Sequence, residues 1–386
     1  MPMPLDPGGF VSRAIHRVGR WRLVRRFQPA MVLAQFHAFV GFAALAIRLR
    51  KRWPRIALAL LPPRLGAVID AIDRADLCVG VPGGYLMAPA VHDDYWLYQA
   101  ATLMLPAMLG KRLVLYACSI GPFAGLHRGV ARRVLSSVDL VISREEISRA
   151  NLRALGVDGT RVAVRPDAAF GFASAPQPEA ALERALRSLS AAPRPWVGFS
   201  VRDHHFPGAA SPEEKRAAYL NEIRAAVAWV RDELGGSAIF VPQCIENGGR
   251  DVEVSLEVAR QASGAGNLFV LTEDLSPHAL GELYARLDLL IGTRMHANIL
   301  AMTRGTPVVA IAYEHKTVGI MQMMALSEYA LDIADIRDRL LPMARRAWEA
   351  RGALRSHVAQ RVAALRREAL ATPLLLSPYL TRAVAR

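Results

Sequence analysis

Between residues 76 and 316, short apolar runs rich in valine, isoleucine and leucine alternate with helix-length amphipathic stretches. No other feature constrains the fold as strongly. Strands that read as continuous apolar runs are covered on both faces, and strands that alternate with helices pair in parallel. A first series predicts strands at 77–81, 113–117, 140–143 and 162–164, with helices at 95–108, 128–135 and 145–155. Gly156 follows the last helix and suits its C-terminal cap. A second series predicts strands at 196–201, 238–241, 268–271, 289–291 and 308–312. Its helices fall near 212–234, 251–262, 277–286, 295–303 and 317–325. Pro176, Pro178, Pro193 and Pro195 interrupt the pattern between the two series and mark a linker. A chain of 386 residues also exceeds what one hydrophobic core usually serves. The expected class is α/β: two Rossmann-like doubly wound domains, residues 1–175 and 190–334, with a cleft between them. A helical tail rich in arginine and alanine follows at 335–386.

Composition narrows the function classes. The chain is 52% hydrophobic and 21% charged, which excludes a disordered polymer. Its net charge of +14 favours anionic partners, such as phosphorylated metabolites or an acidic membrane surface. The cations are arginines apart from Lys51, Lys111, Lys215 and Lys316. Basic stretches interleaved with aromatics are missing, so nucleic acid is not the expected partner. Cys78, Cys118 and Cys244 are scattered without paired spacing, which fits a reducing cytosol and gives no zinc pattern. The apolar segment 31–47 lies between Arg25-Arg26 and the cations of 48–52, and Gln35 and His37 interrupt it. It reads as a buried or membrane-surface helix, with a transmembrane helix as the alternative.

In open parallel sheets, ligands bind outside the carboxyl ends of the strands, so the residues just past each strand carry the functional reading. Gly83 and Gly84 follow the first strand, and Gly121 follows the second, where paired or positive-φ glycines let backbone approach a ligand. Tight-turn chemistry alone is the competing explanation. Ser143 and Glu146 spell a capping box at the next helix, which leaves Arg144 to reach a ligand or a neighbouring carboxylate. Arg202 ends the first strand of the second domain and suits carboxylate or phosphate, unless Asp203 takes it up. Arg294 and His296 stand at a strand-to-helix transition, combining a cation, an imidazole and a helix N-terminus. Lys316 follows the next strand, with Glu314 as its partner. His127, His204, His205 and His278 show no metal-ligand spacing, and no metal is expected.

Taken in order, GGYL at 83–86, SIGPF at 119–123, SREEISRANLRALGV at 143–157 and RPDAAF at 165–170 resemble the polysaccharide pyruvyl transferase family. SVR at 200–202, VPQ at 241–243 and the run 288–316 extend the resemblance, which covers residues 70–330. It implies two Rossmann-like domains arranged as in GT-B glycosyltransferases. It also implies phosphoenolpyruvate as donor co-substrate, no cofactor, and a ketal on a cell-surface or exopolysaccharide sugar as product. His296 and Lys316 would be catalytic. Arg294, Arg144, Arg202, Gly83, Gly84, Gly121 and Glu314 would bind substrate. The expected location is cytoplasmic, with peripheral contact at the inner membrane face, and the saccharide acceptor is free or lipid-linked. Family members open with a strand and a Gly-Asn-x-Gly-Asp loop, and neither precedes residue 70. Two alternatives therefore stand beside this reading: a nucleotide-sugar glycosyltransferase, and a non-catalytic homologue.

Overall fold

The computed structural model describes residues 34–380, apart from 35, 39, 50–51, 54–62, 91–94, 158, 173–178, 208, 246–249 and 263–265. The Pro176–Pro178 part of the linker, Arg25-Arg26 and residues 31–33 of the apolar segment lie outside them. The chain forms two compact units: residues 1–165 with 372–386, and residues 166–371.

The first unit is built on a parallel sheet. Its elements are α1 (Pro63–Arg74), β1 (Cys78–Gly80), β2 (Gly83–Ala88), α2 (Tyr95–Met108), β3 (Leu113–Phe123), α3 (His127–Leu135), β4 (Leu140–Ser143), α4 (Glu146–Ala154) and β5 (Val162–Val164). Strand β3 lies between β4 and an edge that β1 and β2 share. Cys78–Gly80 pair with the first half of β3, and Gly83–Ala88 with the second. The edge is thus one strand broken at Val81-Pro82, where proline offers no ladder N–H. This corrects the expectation that Gly83 and Gly84 form a loop beyond the strand: both are strand residues without positive φ. A Cβ on Gly83 would sit 2.6 Å from the Tyr85 ring, whose hydroxyl donates back to the Val81 carbonyl at 2.9 Å. Gly83 therefore makes room for a side chain of its own strand.

The second unit holds a six-stranded parallel sheet in the order β11-β10-β9-β6-β7-β8. Its strands are β6 (Trp196–Ser200), β7 (Ser237–Phe240), β8 (Leu268–Val270), β9 (Leu289–Gly292), β10 (Val308–Ala312) and β11 (Ala330–Asp332). Between them run α5 (Ala180–Ser188, ahead of β6), α6 (Pro212–Asp232), α7 (Asp251–Gln261), α8 (Pro277–Tyr284), α9 (Met295–Thr303) and α10 (His315–Met323). The central strands are buried along their whole length, as their unbroken apolar sequences require. Phe199 and Phe240 stack at 5.2 Å between ring centroids, and Gly198 lets Leu287 close on β6 where a Cβ would lie 2.4 Å from its methyl.

The tail does not form a separate piece. Helices α11 (Leu340–Glu349) and α12 (Arg351–Ala371) belong to the second unit, where Ala344, Ala347, Leu354 and Val358 join its core. From Thr372 the chain belongs to the first unit. There Leu375, Leu376 and Tyr379, the last from α13 (Ser377–Leu380), pack on Val114, Leu140 and Ile142.

Candidate functional site

The second sheet has a topological switch point. The chain steps from β6 outward to β7 and β8, then returns to β9 on the other side and continues to β10 and β11. Strand ends on either side of such a reversal leave a crevice that takes ligands. Here the flanking residues are those after Ser200 and after Gly292, which are register partners. Thr293 N–H donates to the Ser200 carbonyl at 2.7 Å. The Tyr219 hydroxyl ties both ends together, accepting from Arg202 N–H at 3.3 Å and lying 2.9 Å from Thr293 Oγ1. Burial pushes this phenol up to about 12.

His296 and Lys316 occupy equivalent places on neighbouring βα units. Strand β9 ends at Gly292, Arg294 caps α9, and His296 is its second residue. Strand β10 ends at Ala312, Glu314 caps α10, and Lys316 is its second residue. The two strands are hydrogen-bonded neighbours, so both first turns open at the same end of the sheet. The short distance from strand to cap brings an imidazole, an ammonium and two helix N-termini to one edge.

Each predicted residue of this edge has definite partners. Arg294 forms a fork on Asp251, with Nε donating to Oδ2 at 2.9 Å and Nη2 to Oδ1 at 2.5 Å. Asp251 is fully buried and also accepts the backbone N–H groups of Gln243 and Cys244 at 3.2 and 3.1 Å. The Nη1 group of Arg294 takes no part in this fork. His296 is exposed, and its Nε2 lies 3.8 Å from Oδ2 of buried Asp167. Asp167 is held by the Ala169 N–H, which donates to Oδ1 at 2.8 Å. Lys316 Nζ is ion-paired to Glu314 Oε2 at 2.5 Å, the partnership expected from sequence. Tyr313 collects the remaining cations, with Arg202 Cζ 4.1 Å and Lys316 Nζ 5.2 Å from its ring centre. His204 packs on the same ring at 5.7 Å and on Phe206 at 4.7 Å. Burial first, then Arg202 and His205, lower the pKa of His204, against an opposing pull from Glu314 and Asp332.

Buried polar atoms without partners are uncommon in native proteins, and each asks for a cause. Among the described residues, Ser200 Oγ, Asn298 Oδ1 and Thr317 Oγ1 are such atoms. They sit at the end of β6 and in the first turns of α9 and α10.

The other predicted residues belong to the first unit. Arg144 is 2% exposed and donates Nε–H to Ser119 Oγ at 2.7 Å, so it braces β3 within its length. Gly121 lies inside β3 with φ +70°, and a Cβ there would meet the Asn151 side chain at 3.0 Å. The capping-box reading is corrected. Ser143 ends β4, and Glu145 is the cap of α4, accepting from Ser148 N and Oγ at 2.6 Å each. No motif in the sequence marks Asp167, Asp251 or Tyr313 as a site residue. Asp167 stands in the quoted RPDAAF run, and Asp251 opens a predicted helix, where an acid is explained by the helix dipole alone.

A family model for polysaccharide pyruvyl transferases matches residues 25–315. The chain belongs to that family. The matched span takes in every predicted site residue except Lys316, one position beyond its end. The amylovoran biosynthesis protein AmsJ of Erwinia amylovora is 24% identical over 325 residues, 82% of this chain and 72% of AmsJ. Among solved structures, Anabaena Alr3699/HepE in complex with UDP-glucose has a TM-score of 0.55 at 14% identity, with 84% of each chain covered. The alpha,alpha-trehalose 6-phosphate synthase of Burkholderia multivorans has a TM-score of 0.54 at 13% identity, over 91% of this chain and 76% of that one. These likenesses show the fold, that of GT-B glycosyltransferase-like proteins, on which this polysaccharide pyruvyl transferase family member is built.

Proposed function

We propose that the protein transfers a pyruvyl group from phosphoenolpyruvate to two hydroxyls of a saccharide, as a step in making a cell-surface or exopolysaccharide. The observation that carries this reading is the edge of the second sheet. There Arg202 and Lys316 meet on the Tyr313 ring, Arg294 is held on Asp251, and His296 with its buried neighbour Asp167 stands at the same sheet end. Three cations suit a donor that carries both a carboxylate and a phosphate. Family membership and the similarity to AmsJ support the choice of product class.

The chemistry assigns a task to each group. His296, protonated, delivers a proton to the methylene carbon of the enol, and C2 takes up the positive charge. A saccharide hydroxyl attacks C2, and its proton returns to the imidazole. Arg202, Arg294 and Lys316 hold the carboxylate and the phosphate. The second hydroxyl then forms the other C2–O bond as the C2–O bond to phosphate breaks, and its proton leaves with inorganic phosphate. Asp167 stabilises the imidazolium and fixes the ring. Glu314 keeps Lys316 in place between turnovers. Arg144 and Gly121 shape β3 in the first unit. This chemistry asks for no cofactor, and the reaction suits the cytoplasm, where phosphoenolpyruvate is made.

Calorimetric titration with phosphoenolpyruvate, followed by phosphate release with candidate saccharides, tests the reading. Arg294→Ala is expected to weaken donor binding by more than about 1.5 kcal/mol, as loss of a charged hydrogen bond does. Asp167→Asn should leave donor binding intact and lower turnover. A folded protein that binds UDP and ignores phosphoenolpyruvate would refute the proposal in favour of a nucleotide-sugar enzyme.

A further inference from the structure

The first unit carries a helical stretch, 40–49, whose outward face reverses the usual pattern of a surface helix. Its inner residues Ala43, Ala46 and Ile47 are buried against Leu65, Ile69 and Leu105, as an amphipathic helix requires. The opposite face should then be polar. Instead Phe42 and Leu45 are 41% and 54% exposed, and exposed Ala34 and Ala38 precede them at helical spacing. The face changes character at its end, where exposed Arg48 and Arg52 follow, and half-exposed Trp53 lies 5.6 Å from the Arg52 guanidinium.

Charge is segregated toward the same part of the chain. Residues 1–52 contain ten arginines and lysines against a single acid, Asp6. That segment accounts for +9 of the net +14, and the other 334 residues are nearly balanced. An apolar stripe with a tryptophan and a dense cationic flank fits an interface where hydrocarbon meets fixed negative charge. A nucleic acid or a free polyanion would use the cations and leave Phe42 and Leu45 in water. Among the described residues no helix is long and apolar enough to cross a membrane, so this face would lie on one.

We propose that the face formed by Phe42, Leu45, Arg48, Arg52 and Trp53 docks on an anionic lipid bilayer, with the aromatic and aliphatic side chains in the headgroup layer. Each cation near such a surface contributes about a fivefold gain in partition, and salt screens it.

The test is co-sedimentation of the full chain with vesicles of phosphatidylcholine alone or with roughly a third phosphatidylglycerol, a composition that sets a strongly negative surface potential. Partition into the anionic vesicles is expected to exceed the neutral ones at least tenfold and to fall at high salt. The double variants Phe42→Ser with Leu45→Ser, and Arg48→Gln with Arg52→Gln, should each lower it about tenfold or more. All four side chains are exposed, so the melting temperature should not move. The emission of Trp53, taken as the difference between the parent and Trp53→Phe, should shift to the blue on the anionic vesicles. That readout decides the matter if a serine variant melts early. Two results overturn the proposal: no sedimentation with anionic vesicles, or binding that survives the serine replacements and a duplex oligonucleotide matches. Neither touches phosphoenolpyruvate binding, which is measured without lipid.

Discussion

Asp251→Asn keeps the volume of the side chain and removes its charge. The carboxylate is fully buried and accepts four hydrogen bonds, two from the Arg294 fork at 2.9 and 2.5 Å and two from backbone N–H groups at 3.2 and 3.1 Å. Breaking a buried ion pair by removing one partner costs about 3–5 kcal/mol. Two features reduce that figure: the Arg294 side chain keeps 18% exposure, and the asparagine oxygen can still accept. The expected loss of stability is about 2–3 kcal/mol. In urea, with a slope of about 2–3 kcal/mol per molar, the midpoint would fall by roughly 1 M. Donor affinity should fall in parallel, because Arg294 loses the fork that aims it. Arg294→Met alone should cost a similar amount by stranding Asp251. The double variant Arg294→Met with Asp251→Asn should lose less than the sum of the two single losses, since the asparagine leaves no unpaired buried charge and still accepts the backbone N–H groups. It should not recover donor binding. Additive single losses, or an Asp251→Asn midpoint equal to the parent's, would refute the view that this pair organises the edge.

Three further outcomes follow from particular contacts. Gly292→Ala would place a Cβ 1.9 Å from Asn298 Oδ1, and Asn298 is buried and bonded to the Gly292 carbonyl at 3.0 Å. A loss of about 1–3 kcal/mol in urea unfolding is expected from this overpacking. Glu145→Ala removes the cap of α4 and should cost about 1–2 kcal/mol, with faster amide exchange at Ile120, whose N–H donates to Ser148 Oγ at 2.7 Å. The folded-state pKa of His204 lies below its ordinary value of about 6.5, so the unfolded chain takes up that proton first. Its contribution is therefore present above about pH 6.5 and lost as pH falls through the lower folded value. In melts between pH 7 and 5, His204→Asn should show a shallower acid decline than the parent.

The strands of both sheets were legible because continuous apolar runs announce burial on both faces, and β4, β5 and β10 match their predicted spans. What periodicity conveys less well is pairing. Gly83 and Gly84 read as turn formers because two glycines usually are. Only the pairing of Gly83 with Cys118, across the break at Pro82, shows that they continue an edge strand. The carboxyl-edge rule put Arg202, Arg294, His296 and Lys316 at one end of one sheet. Glu314 stood in view beside Lys316, but nothing in the sequence signalled the acids that meet Arg294 and His296. Asp251 lies 43 residues from Arg294, and the two meet only through the fold. Asp167 reaches His296 from a loop that precedes the whole second sheet. Ser143 has the residue type of a cap, but its place in the β4 ladder leaves the capping position to Glu145.

The return of the chain to its first unit sets an order on biosynthesis. Val114, Leu140 and Ile142 emerge from the ribosome more than two hundred residues before Leu375, Leu376 and Tyr379, which cover them. Domains made first generally fold first, but this one stays unfinished until residues 372–380 leave the exit tunnel. Through most of synthesis a strip of its central strands is an open apolar surface, a natural landing place for a chaperone. A premature stop after α12 would release a polypeptide with the second core complete and the first still uncapped.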